Sequence, residues 1–203
     1  MTVRVGVLAS GSGTNFQALV EGLRGSNAQV AVLICNVRGA KCLERAKSLG
    51  VTAEVLDHKP FGSRDAYDEA LIAALHKHQV ELICLAGFMR LLTPKFLAAF
   101  PQRVINVHPA LLPSFPGMHG IKQALDYGAK VTGCTVHFVD EGTDTGPVIA
   151  QAAQQVLESD DEASLAARIH ADEHRLYVQA VKWFADGKLS VKGRRVHVQE
   201  AVR

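Results

Sequence analysis

One feature restricts the fold more than any other: short runs of β-branched and apolar residues alternate with longer stretches of helical periodicity. Such runs occur at Val3–Ala9, Val30–Cys35, Ala53–Leu56, Leu82–Ala86, Val104–Val107, Val131–Val139 and Val148–Ala153. Between the early ones, Phe16, Leu19, Val20 and Leu23 fall on one helical face, as do Tyr67, Leu71, Ala74 and Leu75. Near-continuous apolar strands separated by helices predict a parallel sheet covered on both faces, because each parallel neighbour requires a crossover.

The last two runs are joined only by Asp140–Gly146, which is too short for a helical crossover. They are expected to pair antiparallel at one edge. A long helix is expected from about Asp161 to Asp186, and a short hairpin across Lys192-Gly193. Thr14 with Gln17, and Ser159 with Glu162, carry the spacing of a capping box. No repeat, low-complexity stretch or linker interrupts the pattern. The expectation is a single domain over residues 1–203 of α/β class. Its architecture would be a Rossmann-like three-layer open sheet, mostly parallel with an antiparallel edge pair.

Composition narrows the function. Apolar residues make up 48% of the chain, enough for a core, and the formal net charge is only +2 with charges dispersed. That balance argues against a nucleic-acid binder, which shows a basic stripe. Lys192-Gly193-Arg194-Arg195 reads as a solvated turn. No apolar run approaches the roughly 20 residues of a membrane span. Thr2-Val3-Arg4-Val5 does not begin a secretion signal. Cys35, Cys42, Cys84 and Cys134 include no Cys-x-x-Cys pair, and three of them sit in strand-like runs. A soluble cytoplasmic protein is expected.

Chemistry concentrates in a few loops. Gly11-Ser12-Gly13-Thr14-Asn15 follows the first strand and precedes a helix, where exposed amides suit a phosphate; a tight turn without a ligand is the alternative. It is neither a dinucleotide fingerprint, since Phe16 takes the third glycine position, nor a Walker loop. Asn106 and His108 lie two apart at a strand end, so they share a face. A carboxamide beside an imidazole suits acyl transfer, Asn donating to an oxyanion while His moves protons. The other reading is a strand-end histidine bonded to backbone. Asp140-Glu141-Gly142-Thr143-Asp144-Thr145-Gly146 is either a solvated hairpin loop, a carboxylate source for His108, or a metal loop.

His170-Ala171-Asp172-Glu173-His174 matches the H-x-x-E-H pattern of a class of zinc peptidases. That site needs a further ligand, and beyond it only Asp186 and Glu200 carry carboxylates. Glu173 also falls in register with the apolar stripe Leu165, Ile169, Leu176 and Ala180, so it is expected to be partly buried and in need of a cationic or hydrogen-bonding partner.

Six segments in order resemble the folate-dependent formyltransferases: Gly11–Asn15, Ser63–Asp68, Ala86–Arg90, Ile105–Pro113, Asp140–Gly146 and His170–Tyr177. The resemblance runs from Val5 to about Phe184. It implies transfer of the formyl group of 10-formyltetrahydrofolate, a co-substrate, to the amine of glycinamide ribonucleotide in purine synthesis. Neither metal nor ATP is implied, nor is nucleic acid or membrane a partner. The assembly expected is a monomer or a homodimer. Gly11, Ser12, Gly13, Thr14 and Asn15 would hold the ribonucleotide phosphate, with His170 and Glu173 near its amine. Folate would meet Arg64, Met89, Arg90, Leu91, Leu92, Asn106 and the loop Asp140, Glu141, Gly142, Thr143 and Asp144. Asn106, His108 and Asp144 match the catalytic trio. Formyltetrahydrofolate hydrolysis, formylation of an initiator tRNA, and a non-catalytic phosphate-binding module are the rival readings.

Overall fold

The computed structural model describes residues 2–199. The chain divides into two compact units, Met1–Asn106 and Val107–Arg203. The first contains β1 (Val3–Ala9), α1 (Thr14–Gly22), β2 (Ala28–Cys35), α2 (Lys41–Leu49), β3 (Ala53–Val55), α3 (Arg64–Lys77), β4 (Leu82–Leu85) and α4 (Pro94–Ala99). Strand β5 (Val104–His108) carries the chain across the division. The second unit continues with α5 (Gly120–Tyr127), β6 (Val131–Phe138), β7 (Val148–Gln155), α6 (Glu162–Ala185), β8 (Leu189–Lys192) and β9 (Arg195–Val198).

In the first unit the strand order is β3-β2-β1-β4-β5, and every pairing is parallel. Right-handed crossovers put α1 and α2 on one face; the chain then reverses direction past β1, which sends α3 and α4 to the other. The helices accordingly pack as α1 with α2 and α3 with α4. Consecutive residues such as Val7, Leu8 and Ala9, or Leu33, Ile34 and Cys35, are fully buried. Only a sheet covered on both sides buries both parities of a strand. The strand order reverses between β1 and β4, and the loops at the carboxyl ends of these two strands flank the crevice where such sheets bind ligands.

The second unit shows the expected antiparallel pair, β6 with β7. Its order is β6-β7-β9-β8, so that pair is not the last: β9 joins β7 in parallel at Val148 and Arg195, and β8 closes an antiparallel hairpin on β9. Helix α6 packs on β6, β7 and α5. The α/β class expected from the pattern is thus observed, mostly parallel with antiparallel pairs toward the C-terminus. Among the described residues no helix is long and apolar enough to cross a membrane.

Neither expected capping box forms. Helix α6 is capped by Asp161, whose carboxylate accepts the Ser164 amide at 2.8 Å while Ser164 Oγ accepts the Asp161 amide at 3.1 Å. The start therefore lies two residues beyond Ser159. Helix α1 has Gly13 as its N-cap and no side-chain cap, because Thr14 is already helical and the turn is made by Gly13 at φ +75°. A Cβ on Gly13 would stand 2.6 Å from Cys42 Cβ and 2.8 Å from its Cα. Gly13→Ala combines left-handed backbone strain with that collision and is expected to cost about 1–3 kcal/mol of stability. Urea unfolding of the two proteins is the check; an unchanged midpoint would mean that α2 simply yields.

Candidate active site

The loop after β1 is held from outside. The Gly11 carbonyl accepts the Cys42 amide at 3.0 Å, and the Ser12 carbonyl accepts Arg45 Nε at 2.8 Å. Gly11 and Ser12 are exposed, Thr14 and Asn15 half-buried. With glycine as its N-cap, α1 offers its first-turn amides no side chain, the arrangement that suits an anion. Beneath the loop the Cys42 thiol donates to Cys35 Sγ at 3.4 Å, which draws the Cys35 pKa down against the opposing effect of burial.

The loop after β4 exposes two apolar side chains, Met89 (66% exposed) and Leu91 (60%). Its neighbours fix it residue by residue. Ser10 Oγ accepts the Met89 amide at 2.9 Å, and the Arg90 guanidinium lies 4.9 Å from the centre of the Tyr67 ring. Arg64 reaches the Leu91 carbonyl at 3.5 Å, and the Asp68 carboxylate accepts the Thr93 amide at 2.7 Å. Burial pushes the Tyr67 phenol up to about 12, so the ring beside Arg90 is neutral.

In the second unit His108 ends β5. Its Nε2 donates to the Phe115 carbonyl at 2.8 Å, and its Nδ1 faces Asp144 Oδ2 at 3.3 Å. The ring is therefore held between two acceptors at 4% exposure. Asp144 has a left-handed backbone, φ 55°, and its Oδ2 also accepts the Gly117 amide at 2.7 Å. His137 Nε2 stands 3.7 Å from Asp144 Oδ1, with burial holding its pKa below the usual histidine range. Asn106 occupies β5 two residues before His108, a position of the same parity.

Within the Asp140–Gly146 loop the carboxylates differ. Asp140 Oδ1 is engaged by the Gly142 amide and the Thr145 hydroxyl, so it shapes the loop, whereas Asp144 turns toward the histidines. Glu141, Gly142 and Thr143 are exposed. The proline-rich segment contains a cis Leu112–Pro113 bond and is clamped by Thr135, whose hydroxyl donates to the Ala110 carbonyl and accepts the Leu112 amide.

On α6, Glu173 is only 2% exposed, a deeper burial than the partial one expected from its place in the apolar stripe, and one of its partners belongs to the chain: His170 Nδ1 donates to its Oε2 at 2.9 Å. Among the described residues no group of three or more His, Cys, Asp or Glu could hold a metal ion; Glu200 lies outside the described residues. A cavity of about 580 Å³ in the first unit, lined by Thr2, Arg4, Leu23, Arg24, Leu49 and Gly50 among others, is touched by none of the expected site residues.

The structure thus brings His108 and Asp144 together, and likewise His170 and Glu173. Ser10, Asp68, Gly117, Thr135 and His137 were not anticipated. Thr135 and His137 carried a signal, being polar residues inside the apolar run of β6.

Residues 3–181 match the formyl transferase family, and the chain belongs to that family. Among its relatives, phosphoribosylglycinamide formyltransferase of Bacillus subtilis is 44% identical over 87% of this chain and 91% of that protein. The solved glycinamide ribonucleotide transformylase 1 of Symbiobacterium toebii superposes with a TM-score of 0.96 at 49% identity, over 98% of this chain and 95% of that one. The trifunctional purine biosynthetic protein adenosine-3 of Drosophila melanogaster is 48% identical over 91% of this chain, which spans only 14% of that much longer protein.

The His170–Glu173 bond generates a titration. The hydrogen bond to Glu173 raises the His170 pKa above 6.5, with burial opposing it. The stability this pair contributes is fully present below the unfolded-state pKa of about 6.5 and disappears as pH rises through the higher folded value. NMR titration should place His170 above its usual value in the native protein and lower in Glu173→Gln. Equal midpoints would show that the bond is not formed in solution.

Proposed function

We propose that the chain catalyses formyl transfer from 10-formyltetrahydrofolate to the primary amine of glycinamide ribonucleotide, as a single formyltransferase domain working in the cytoplasm. The observation that carries this reading is the His108–Asp144 pair at the end of the strand bearing Asn106, inside the segment matched to the formyl transferases.

The chemistry follows from these groups. The amine nitrogen attacks the formyl carbon and the carbonyl π electrons move onto oxygen. Asn106 and His108 donate hydrogen bonds to that oxyanion. The tetrahedral centre collapses by breaking the bond to the folate nitrogen, while the amine loses a proton and the departing nitrogen gains one. Asp144 keeps the imidazole oriented. His108 Nε2 is engaged by the Phe115 carbonyl in this structure, so a substrate oxygen must compete for that N–H. A formyl group on the folate nitrogen is already an activated acyl donor, so the reaction calls for neither ATP nor metal.

The substrate assignments extend from there. Gly11 to Asn15 receive the ribonucleotide phosphate, and Glu173, oriented by His170, receives its ammonium or amine. Folate lies against Arg64, Met89, Arg90, Leu91 and Leu92, with Asn106 and the loop from Asp140 to Asp144 contributing. The glycine-bounded loops tolerate close approach of a ligand to backbone.

Two substitutions test the assignments. Asp144→Asn keeps the shape but removes the charge facing His108, so kcat should fall about 100-fold or more with a smaller change in KM. Steady-state kinetics decide it; near-normal kcat would reduce Asp144 to a loop residue. Glu173→Ala should weaken the ribonucleotide by about 1.5–3 kcal/mol and leave the folate nearly unaffected. Calorimetry of each ligand is the measurement, and equal weakening of both would contradict the assigned role.

A further inference from the structure

The loop between β4 and α4 owes its shape to groups outside it. It has no regular structure from Ala86 to Thr93, and it displays Met89 and Leu91 to solvent. Ala86 and Phe88 are buried, but the stretch from Met89 to Leu92, with two exposed apolar side chains, gains little by ordering itself, so its shape depends on what grips it. Two side chains grip its main chain with short bonds, one near each end.

At the first end stands Ser10. Its amide donates to the Gly87 carbonyl at 3.0 Å, and its hydroxyl accepts the Met89 amide at 2.9 Å. The same hydroxyl donates its proton to Asn36 Oδ1 at 2.6 Å. Asn36 is 4% exposed, and its own amide is engaged by His58 Nδ1 at 3.3 Å. With the proton committed to Asn36, the Ser10 lone pairs are directed at Met89. At the second end the Asp68 carboxylate, on a residue 2% exposed, accepts the Thr93 amide at 2.7 Å. Thr93 in turn caps α4 by accepting the Phe96 amide. The folate contacts assigned above, Met89 to Leu92, lie between these two anchors.

We propose that Ser10 and Asp68 are positioning residues that hold the Met89–Leu92 loop in its folate-binding shape before the folate arrives. The inference rests on the functional reading above, in that the loop's ligand is the folate. A loop fixed in its bound shape loses less conformational freedom on binding, so the anchors should appear in folate affinity and not in the chemical step.

The probes are a stable dideaza analogue of 10-formylfolate and glycinamide ribonucleotide, each titrated calorimetrically into the native protein, Ser10→Ala, Asp68→Ala and Asp68→Asn. Ser10→Ala and Asp68→Ala should each bind the folate analogue about tenfold more weakly, corresponding to one lost amide hydrogen bond. Ribonucleotide affinity should stay within about twofold, and kcat at saturating folate likewise, because the lost binding is common to ground and transition states. Asp68→Asn keeps a carbonyl oxygen for the Thr93 amide and should recover most of the affinity. Urea unfolding of each variant separates loss of the fold from loss of the loop, and Ser10→Ala, the milder change, serves if Asp68→Ala fails to fold. Unchanged folate affinity in Ser10→Ala, or equal weakening of both ligands, would overturn the inference while leaving the functional reading intact. Failure of the native protein to bind the analogue would overturn both.

Discussion

Parallel strand pairing is the constraint on which the first unit depends. A parallel neighbour can be reached only by carrying the chain back across the sheet, so every strand of β1, β2, β4 and β5 ends on the same edge. Ser10, Asn36, Met89 and Asn106 come from four separate stretches of sequence. They reach that edge because the backbone has no other way to pair these strands, and the crossover helices bury the sheet on both faces as a by-product. The order β3-β2-β1-β4 then sets the loops after β1 and β4 beside each other, which permits the Ser10–Met89 bond.

A different device orders the second unit. Here the carboxylate of Asp144 is the organising group, on a residue whose backbone is left-handed. One oxygen takes the Gly117 amide and faces His108, and the other faces His137. A half-buried carboxylate gains from such partners, and a buried imidazole needs acceptors, so each offsets the other's desolvation. The proline-rich segment completes the arrangement by presenting the Phe115 carbonyl to the other nitrogen of His108. Gly146 closes the loop against β6, since a Cβ there would lie 1.7 Å from the Phe138 carbonyl oxygen.

The periodicity of the chain made most of the strands legible, along with α1, α3 and α6, because burial on both faces leaves continuous apolar runs and amphipathic helices leave spaced ones. Helices α2, α4 and α5 went unread: α4 is only six residues long, and α2 and α5 are eight to nine residues whose apolar faces were passed over. Capping was misread at α1 and α6 because the right residue types occur near both starts, and only backbone geometry decides which one turns the chain. Asn106 and His108 were visible as a carboxamide and an imidazole at a strand end, whereas Asp144 was one of three carboxylates in a glycine-bounded loop and was singled out only by the resemblance. Ser10, Asp68 and Gly117 were not, since a serine, an aspartate on a helix and a loop amide look ordinary until a distant segment is brought to them.

If these groups serve transfer of a formyl group to an acceptor amine, absorbance-monitored loss of the formyl group from 10-formyltetrahydrofolate reads it out directly. Conversion to tetrahydrofolate should depend on added glycinamide ribonucleotide, persist in the presence of a metal chelator, and yield one formylated ribonucleotide per folate consumed. Deformylation at the same rate without the ribonucleotide would identify a hydrolase, and no turnover under either condition would identify a binding protein; either result would contradict formyl transfer to the amine.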